Sequence, residues 1–248
     1  MGGGRVLVGC AGWSLPRDVQ PEFGAGASHL ARYATRLAAT EINSSFHRPH
    51  PPWVWRRWAE AVPEGFRFSV KLPRTITHER RLLGCEAGLD AFLAQATLLG
   101  PKLACLLVQL PPSLAFDAGV AGLFTDALRA RFDGDIALEP RHASWFEPAA
   151  DTLLAARRIA RVLADPVRHD AGRQPGGWPG LVYVRLHGSP RMYYSAYDAT
   201  LLAALAARIA LASAAGTGVW CIFDNTAAGA ATANALALMH HLAQEDPP

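Results

Sequence analysis

The stretch Val182-Tyr183-Val184-Arg185-Leu186-His187 decides the fold. Side chains alternate across an extended chain, so Val182, Val184 and Leu186 share one face and Tyr183, Arg185 and His187 the other. The first face is wholly apolar; the second ends in Arg185 and His187. Such a strand suits a barrel whose outer wall packs under helices and whose inner face turns polar near its carboxyl end. Seven further runs have the same character: Val6 to Gly9, Ala39 to Asn43, Phe68 to Lys71, Leu106 to Gln109, Ile136 to Arg141, Val162 to Asp165 and Cys221 to Asn225. Most end in a polar or charged residue. Helical patterns follow most of them: from Ser28 through Leu37, and over Trp53 to Ala61, Glu86 to Leu99, Ala118 to Ala130, Pro148 to Ile159, Ala199 to Ala212 and Ala228 to Leu242. Eight strands alternating with helices predict an α/β fold, a single (β/α)8 TIM-like barrel. One connection differs. Residues 166–180 carry Pro166, Gly172, Pro175, Gly176, Gly177, Pro179 and Gly180, and read as an irregular loop replacing the helix between strands six and seven.

The 248 residues match one barrel, with no composition break, so the expectation is one domain over 1–248, with Asp246-Pro247-Pro248 as a frayed end. Half the residues are hydrophobic, enough for a large core. The net charge of +3, without basic blocks, argues against a nucleic-acid partner. No apolar stretch approaches the roughly 18 residues a membrane span needs. No export signal precedes the first strand. The cysteines Cys10, Cys85, Cys105 and Cys221 form no CxxC pair and read as buried thiols in a reducing compartment, which places the chain in the cytoplasm.

Strand alternation aims Glu41, Asn43, Ser69, Lys71, Gln109, Ala137, Glu139, Arg141, Asp165, Tyr183, Arg185, His187 and Asn225 inward. The charged members gather at the carboxyl ends of the strands, where barrel enzymes hold their active sites. A structural ion-pair network closing the barrel top is the bland alternative.

Several motifs carry a resemblance. Gly9-Cys10-Ala11-Gly12-Trp13, Glu41 to Phe46, Phe66 to Lys71 with Thr75 to His78, Gln109 to Pro112, Glu139 to Trp145, Tyr183 to Gly188, and Phe223 to Asn225 with Ala233 to Ala235 resemble the DUF72 (YecE-like) family nearly end to end. The resemblance implies a TIM barrel and no established activity. Two departures stand out: Ser14-Leu15-Pro16-Arg17 replaces further aromatics after Trp13, and His47 stands where a tyrosine is usual.

The chemistry open to the mouth divides three ways. Glu41, Glu139, Asp165 and His187 could hold a divalent metal, unless Lys71, Arg141 and Arg185 pair with the carboxylates. Glu139 and Glu41 could divide into acid and base, with Lys71 and Arg185 stabilising developing negative charge and His187 shuttling a proton. Lys71, His78, Arg141, His142, Arg185 and His187 could bind phosphate or carboxylate. Gln109, Arg141, His142, Asn43 and Asn225 would orient a substrate, and Trp13, Trp145, Tyr193 and Tyr197 would offer apolar faces to a sugar or base. A Schiff-base role for Lys71 requires a desolvated amine, which acidic neighbours oppose. The expectation is an enzyme, a hydrolase, isomerase or lyase, acting on a small polar or anionic substrate such as a sugar or phosphorylated metabolite. The alternative is a non-catalytic protein that binds an anionic metabolite or nucleic acid.

Overall fold

The computed structural model describes residues 3–245; the expected frayed end at 246–248 lies outside them. Ten strands form one sheet: β1 (Val6–Ala11), β2 (Ala39–Ile42), β3 (Arg67–Lys71), β4 (Leu103–Gln109), β5 (Asp135–Glu139), β6 (Ile159–Arg161), β7 (Leu163–Asp165), β8 (Gly176–Gly177), β9 (Leu181–Leu186) and β10 (Gly218–Phe223). Their order is β7-β9-β10-β1-β2-β3-β4-β5-β6-β8. All ladders are parallel except β6 with β8. β6 and β7 are two halves of one strand broken at Val162, β6 pairing with β5 and β7 with β9. The sheet therefore closes across residues 159–165, and the expected eight-stranded TIM-like barrel is the observed fold.

Seven helices cover the barrel: α1 (His29–Tyr33), α2 (Pro52–Glu60), α3 (Glu86–Ala96), α4 (Ala118–Arg129), α5 (Pro148–Ala156), α6 (Ala199–Ala214) and α7 (Ala230–Glu245). Side-chain caps start three of them. Ser28, Asp117 and Asp198 accept from the amides of Ala31, Val120 and Leu201, supplying partners for amides that the first turn leaves open. α1 is one short turn, well short of Leu37. Between β7 and β9 the chain makes a single 3-10 turn and the two-residue β8, without an α-helix, as its Pro/Gly content predicts.

Strand six departs from expectation. The helical pattern through Ile159 is interrupted at Arg158, whose φ is 53°, and Ile159 already belongs to the sheet. This reverses the faces read from Val162 to Asp165. Ala160 and Val162 join the inner apolar cluster, with Ala164 packed on it, whereas Leu163 joins the outer core. Asp165 consequently points outward. Its register partner on β9 is the outward Leu186, while Ala164 lies beside the inward Arg185.

Much of the barrel interior is apolar. Leu7, Leu107, Ala137, Leu181 and Ile222 fill it, and Tyr183 stacks on Trp220 with ring centroids 5.9 Å apart. Most polar side chains enter the interior near the carboxyl ends of the strands, Arg185 level with Ile222 and Lys71 level with Leu107, while Asp135 at the start of β5 shares the inward face of Ala137 and hydrogen-bonds Trp220.

Candidate functional site

Arg185, on the inner face of β9, sits at the centre of the mouth with no exposed surface. Its fork grips Glu41 on β2 through Nε–Oε2 at 3.0 Å and Nη2–Oε1 at 2.6 Å. Nη1 donates to Glu139 Oε2 on β5 at 2.6 Å, and Nη2 reaches Asp224 Oδ2, just beyond β10, at 3.2 Å. A guanidinium offers five donors in a fixed plane, which suits one bidentate and two single contacts. Below it, the Tyr183 hydroxyl donates to Glu41 Oε2 and accepts from Ser69 Oγ, each at 2.8 Å.

His187 comes two residues after Arg185 on the same face. Its Nδ1 lies 2.9 Å from Asp224 Oδ2 and its Nε2 3.2 Å from Glu139 Oε1. Burial opposes the charged imidazole, but Glu139 and Asp224 outweigh it and raise its pKa above 6.5. With a carboxylate at each nitrogen, His187 is an imidazolium donating to both. Gly188, with φ of +95°, then turns the chain, and its amide donates to the Tyr197 hydroxyl.

A second arm runs along β5, β4 and β3. Glu139 and Gln109 are register neighbours, and Gln109 Nε2 donates to Glu139 Oε2 at 3.0 Å. Gln109 Oε1 in turn accepts from Lys71 Nζ at 2.7 Å. Arg141 Nη2 approaches Glu139 Oε1 at 3.5 Å. Both oxygens of Glu139 are thus occupied. Burial would raise its carboxyl, but Arg185, His187 and Arg141 hold it well below the usual range. These neighbours favour the ionised carboxylate, so of the general acid/base role expected of Glu139 they oppose the acid half and not the base half. Asp224 is held down in the same way: Arg185 and His187 overcome its burial.

Lys71 behaves otherwise than its acidic neighbours suggest. Burial, aided by Arg185, lowers its pKa to about 8 despite Glu41, Glu139 and Asp224. Those carboxylates are engaged by Arg185, and none lies within ion-pairing distance of Nζ. Phe46 covers the amine, its ring centroid 4.0 Å from Nζ. His78 packs edge-on to the same ring at 5.0 Å. Burial, with Lys71 and Arg141 nearby, drops the pKa of His78 to about 4.

The structure therefore brings together Glu41, Lys71, Gln109, Glu139, Arg141, Arg185 and His187, with His78 at the edge. Tyr193 stands over His187, ring centroids 5.8 Å apart. Asn43 presents a buried Oδ1 without a partner. Other expected members lie elsewhere. Asp165 accepts from the Tyr197 hydroxyl at 2.7 Å, so both serve the wall behind the mouth. Asn225 faces outward, donating to the Ser195 carbonyl and to Asn234 of α7. Trp145 is buried, its indole N–H on the Leu114 carbonyl and its ring against Phe116, so it is core. His142 caps the turn at Ala143–Phe146 through the Ser144 amide. Trp13 packs edge-on against Trp58. Asp224 is the site residue sequence reasoning missed. Trp220 and Ile222 face inward with it, but Cys221 and Phe223 make the other face equally apolar, so alternation alone did not choose between them.

The metal reading does not fit this geometry. Asp165 is turned away, and the Arg185 guanidinium occupies the space among Glu41, Glu139 and Asp224. Among the described residues, no three His, Cys, Asp or Glu side chains are grouped to hold a metal ion. None of their helices is long and apolar enough to cross a membrane.

This balance of charges has a pH signature. His187 bound as a cation stabilises the fold fully below pH 6.5, and that contribution is lost as pH rises through its raised folded pKa. Glu139 and Asp224 contribute above their unfolded pKa values, and their contribution is lost as pH falls through their depressed ones. Above about pH 8 the depressed Lys71 adds stability again. Thermal melting is thus expected to weaken between pH 6.5 and about 8. His187→Gln should flatten that decline; an unchanged slope in the variant would refute the assignment.

A barrel of this connectivity, with its polar cluster at the carboxyl ends, defines a TIM-barrel protein with a charged mouth. Residues 7–248 match the family model described as "Protein of unknown function DUF72", and the chain belongs to that family. It is 28% identical over 166 residues to the UPF0759 protein YecE of Escherichia coli K12, covering 64% of this chain and 59% of that protein. Identity to the UPF0759 protein YunF of Bacillus subtilis 168 is 30% over 151 residues, covering 58% of this chain and 53% of that one. These matches span less than two thirds of either relative. A crystal structure of a DUF72 family protein from Enterococcus faecalis V583 superposes with a TM-score of 0.79 at 24% identity, covering 96% and 95% of the two chains. One from Thermotoga maritima MSB8 gives 0.78 at 23% identity, covering 96% and 99%. Both likenesses concern the fold.

Proposed function

We propose that this chain is an enzyme whose barrel mouth binds a small anionic metabolite and acts on it by proton transfer. The balance of charges supports this reading. Glu41, Glu139 and Asp224 all pair with the single Arg185, while Lys71, Arg141 and His187 add further positive charge around the same opening. With Lys71 and His187 both protonated, the cluster has a surplus of one positive charge. Arg141 also has a buried Nε without a partner. A phosphate or carboxylate would give that guanidinium a second acceptor and satisfy the surplus. Lys71 and His187 are then the groups suited to carry protons, and Glu139 is the anchor that orders them. The four buried free cysteines fit a cytoplasmic location.

The test is binding of inorganic phosphate and sugar phosphates, read by thermal stabilisation and calorimetry. Arg141→Ala is expected to weaken binding by about tenfold or more, the usual loss for a charge-assisted contact. Equal affinity in the variant, or no anion bound by the wild type, would overturn the reading. One observation favours a second reading, a non-catalytic sensor of the same anions: every mouth carboxylate is engaged by Arg185. A bound ligand that is never turned over in a broad substrate screen would select it.

A further inference from the structure

We infer that Lys71 is an amine nucleophile, and that the site takes anionic carbonyl compounds by forming an imine at its Nζ. The inference rests on the anion-binding reading and names its substrate class.

Composition is the first observation. Among 24 Lys and Arg residues, only Lys71 and Lys102 are lysines. Lys102 is structurally committed, because its Nζ donates to the carbonyls of Ala59 and Val62, at 2.6 Å each. A chain that meets nearly every other need for positive charge with arginine thus keeps an amine in its mouth. Arginine binds anions at least as well but cannot deprotonate, so the difference between the two is nucleophilicity.

Geometry is the second. Lys71 is 8% exposed, held at the end of β3. Its polar contact is with Gln109 Oε1, and among the described residues no carboxylate lies within 4.0 Å to hold it as an ammonium. Gln109 cannot turn freely, because its amide N–H is committed to Glu139 Oε2. Its oxygen therefore faces Lys71, accepts one N–H and orients the nitrogen. Gln109 is a positioning residue. Phe46 attracts an ammonium through its ring face, yet the same ring excludes water, and desolvated lysines are the ones that attack carbonyls. The depressed pKa of about 8 agrees with this placement.

The step balances without an oxidant or reductant. The amine lone pair bonds to the carbonyl carbon; nitrogen gives up one proton and the carbonyl oxygen gains one, forming a carbinolamine. With one further proton from solvent, the oxygen leaves as water and a protonated imine remains. Arg141 would hold the anionic group of the same molecule.

The experiment is labelling of the full chain with glyoxylate and cyanoborohydride, which reduces an imine to a stable secondary amine, mapped by peptide mass spectrometry. Two lysines and the amino terminus are the competing amines. Label is expected at Lys71 about tenfold or more faster than at Lys102, as for a desolvated amine. Its rate should level off above about pH 8, and phosphate should compete. Lys71→Arg should lose this label. Labelling at Lys71 no faster than at Lys102 overturns the inference, with or without a folded variant, since phosphate competition is read on the wild type. If phosphate binds while Lys71 stays unlabelled, the imine falls and anion binding stands. If Lys71 is labelled without phosphate binding, the imine stands and the anion anchor falls.

Discussion

Replacing Arg185 with methionine is expected to destabilise the protein by about 3–5 kcal/mol, the usual cost of leaving buried charges uncompensated. In a chain of this length that lowers the melting temperature by roughly 6–20 °C. The reason is the number of partners lost. Glu41, fully buried, loses both of its charge-assisted contacts, and Glu139 and Asp224 lose one each. Gln109, Arg141 and His187 would still donate to Glu139, and His187 to Asp224, but buried Glu41 would keep the neutral Tyr183 hydroxyl and no cation. The deficit should shrink as pH falls, because unpaired carboxylates can take protons, whereas a packing defect would not respond. The double variant Arg185→Met with Glu41→Met should recover part of the loss, since the two residues share one interaction. A single variant that melts within about 2 °C of the wild type, well under the shift such a loss produces, would show the network to be dispensable.

Trp145→Ala is the second large effect, also about 3–5 kcal/mol, by a different route. The indole is buried, and its removal leaves a void beside Phe116 and an unmet acceptor at the Leu114 carbonyl. Phosphate affinity should be unchanged at a temperature where the variant is folded. A loss of affinity as large as that of Arg141→Ala would return Trp145 to the binding surface, where the sequence alone suggested it lay.

The two substitutions mark where sequence reasoning reached and where it stopped. Strands with one apolar and one polar face were legible. Val182 to His187 and Ile136 to Glu139 have no second way to bury their apolar side chains, so Arg185, His187 and Glu139 were aimed correctly. Strands apolar on both faces were not. Val162 to Asp165 and Cys221 to Asn225 satisfy either orientation, and the choice is made by register with β9, a long-range property. Both were read the wrong way round, which put Asp165 and Asn225 into the mouth and left Asp224 out. Aromatic residues failed for a related reason: Trp145 and Tyr197 bury their rings and satisfy their polar tips locally, which residue type does not disclose. The state of Lys71 was hidden because it depends on where the carboxylates point. Three acids near a lysine suggest a stabilised ammonium until an arginine is found to have claimed all three.

One strand of the barrel carries an unusual mechanical duty. Tyr183, Arg185 and His187 occupy successive inward positions of β9 and its extension, and reach across the lumen to β2, β3, β5 and the end of β10. They act as spokes of a wheel whose rim is the sheet. An apolar filling can slide and re-pack when a barrel breathes; spokes made of short charged contacts cannot lengthen without breaking. The upper barrel is therefore a hoop of set diameter. On the anion-binding proposal, a molecule entering it would have to fit the opening as it stands; discrimination by size would then belong to the strands, and whatever motion accompanied entry to the loops above them.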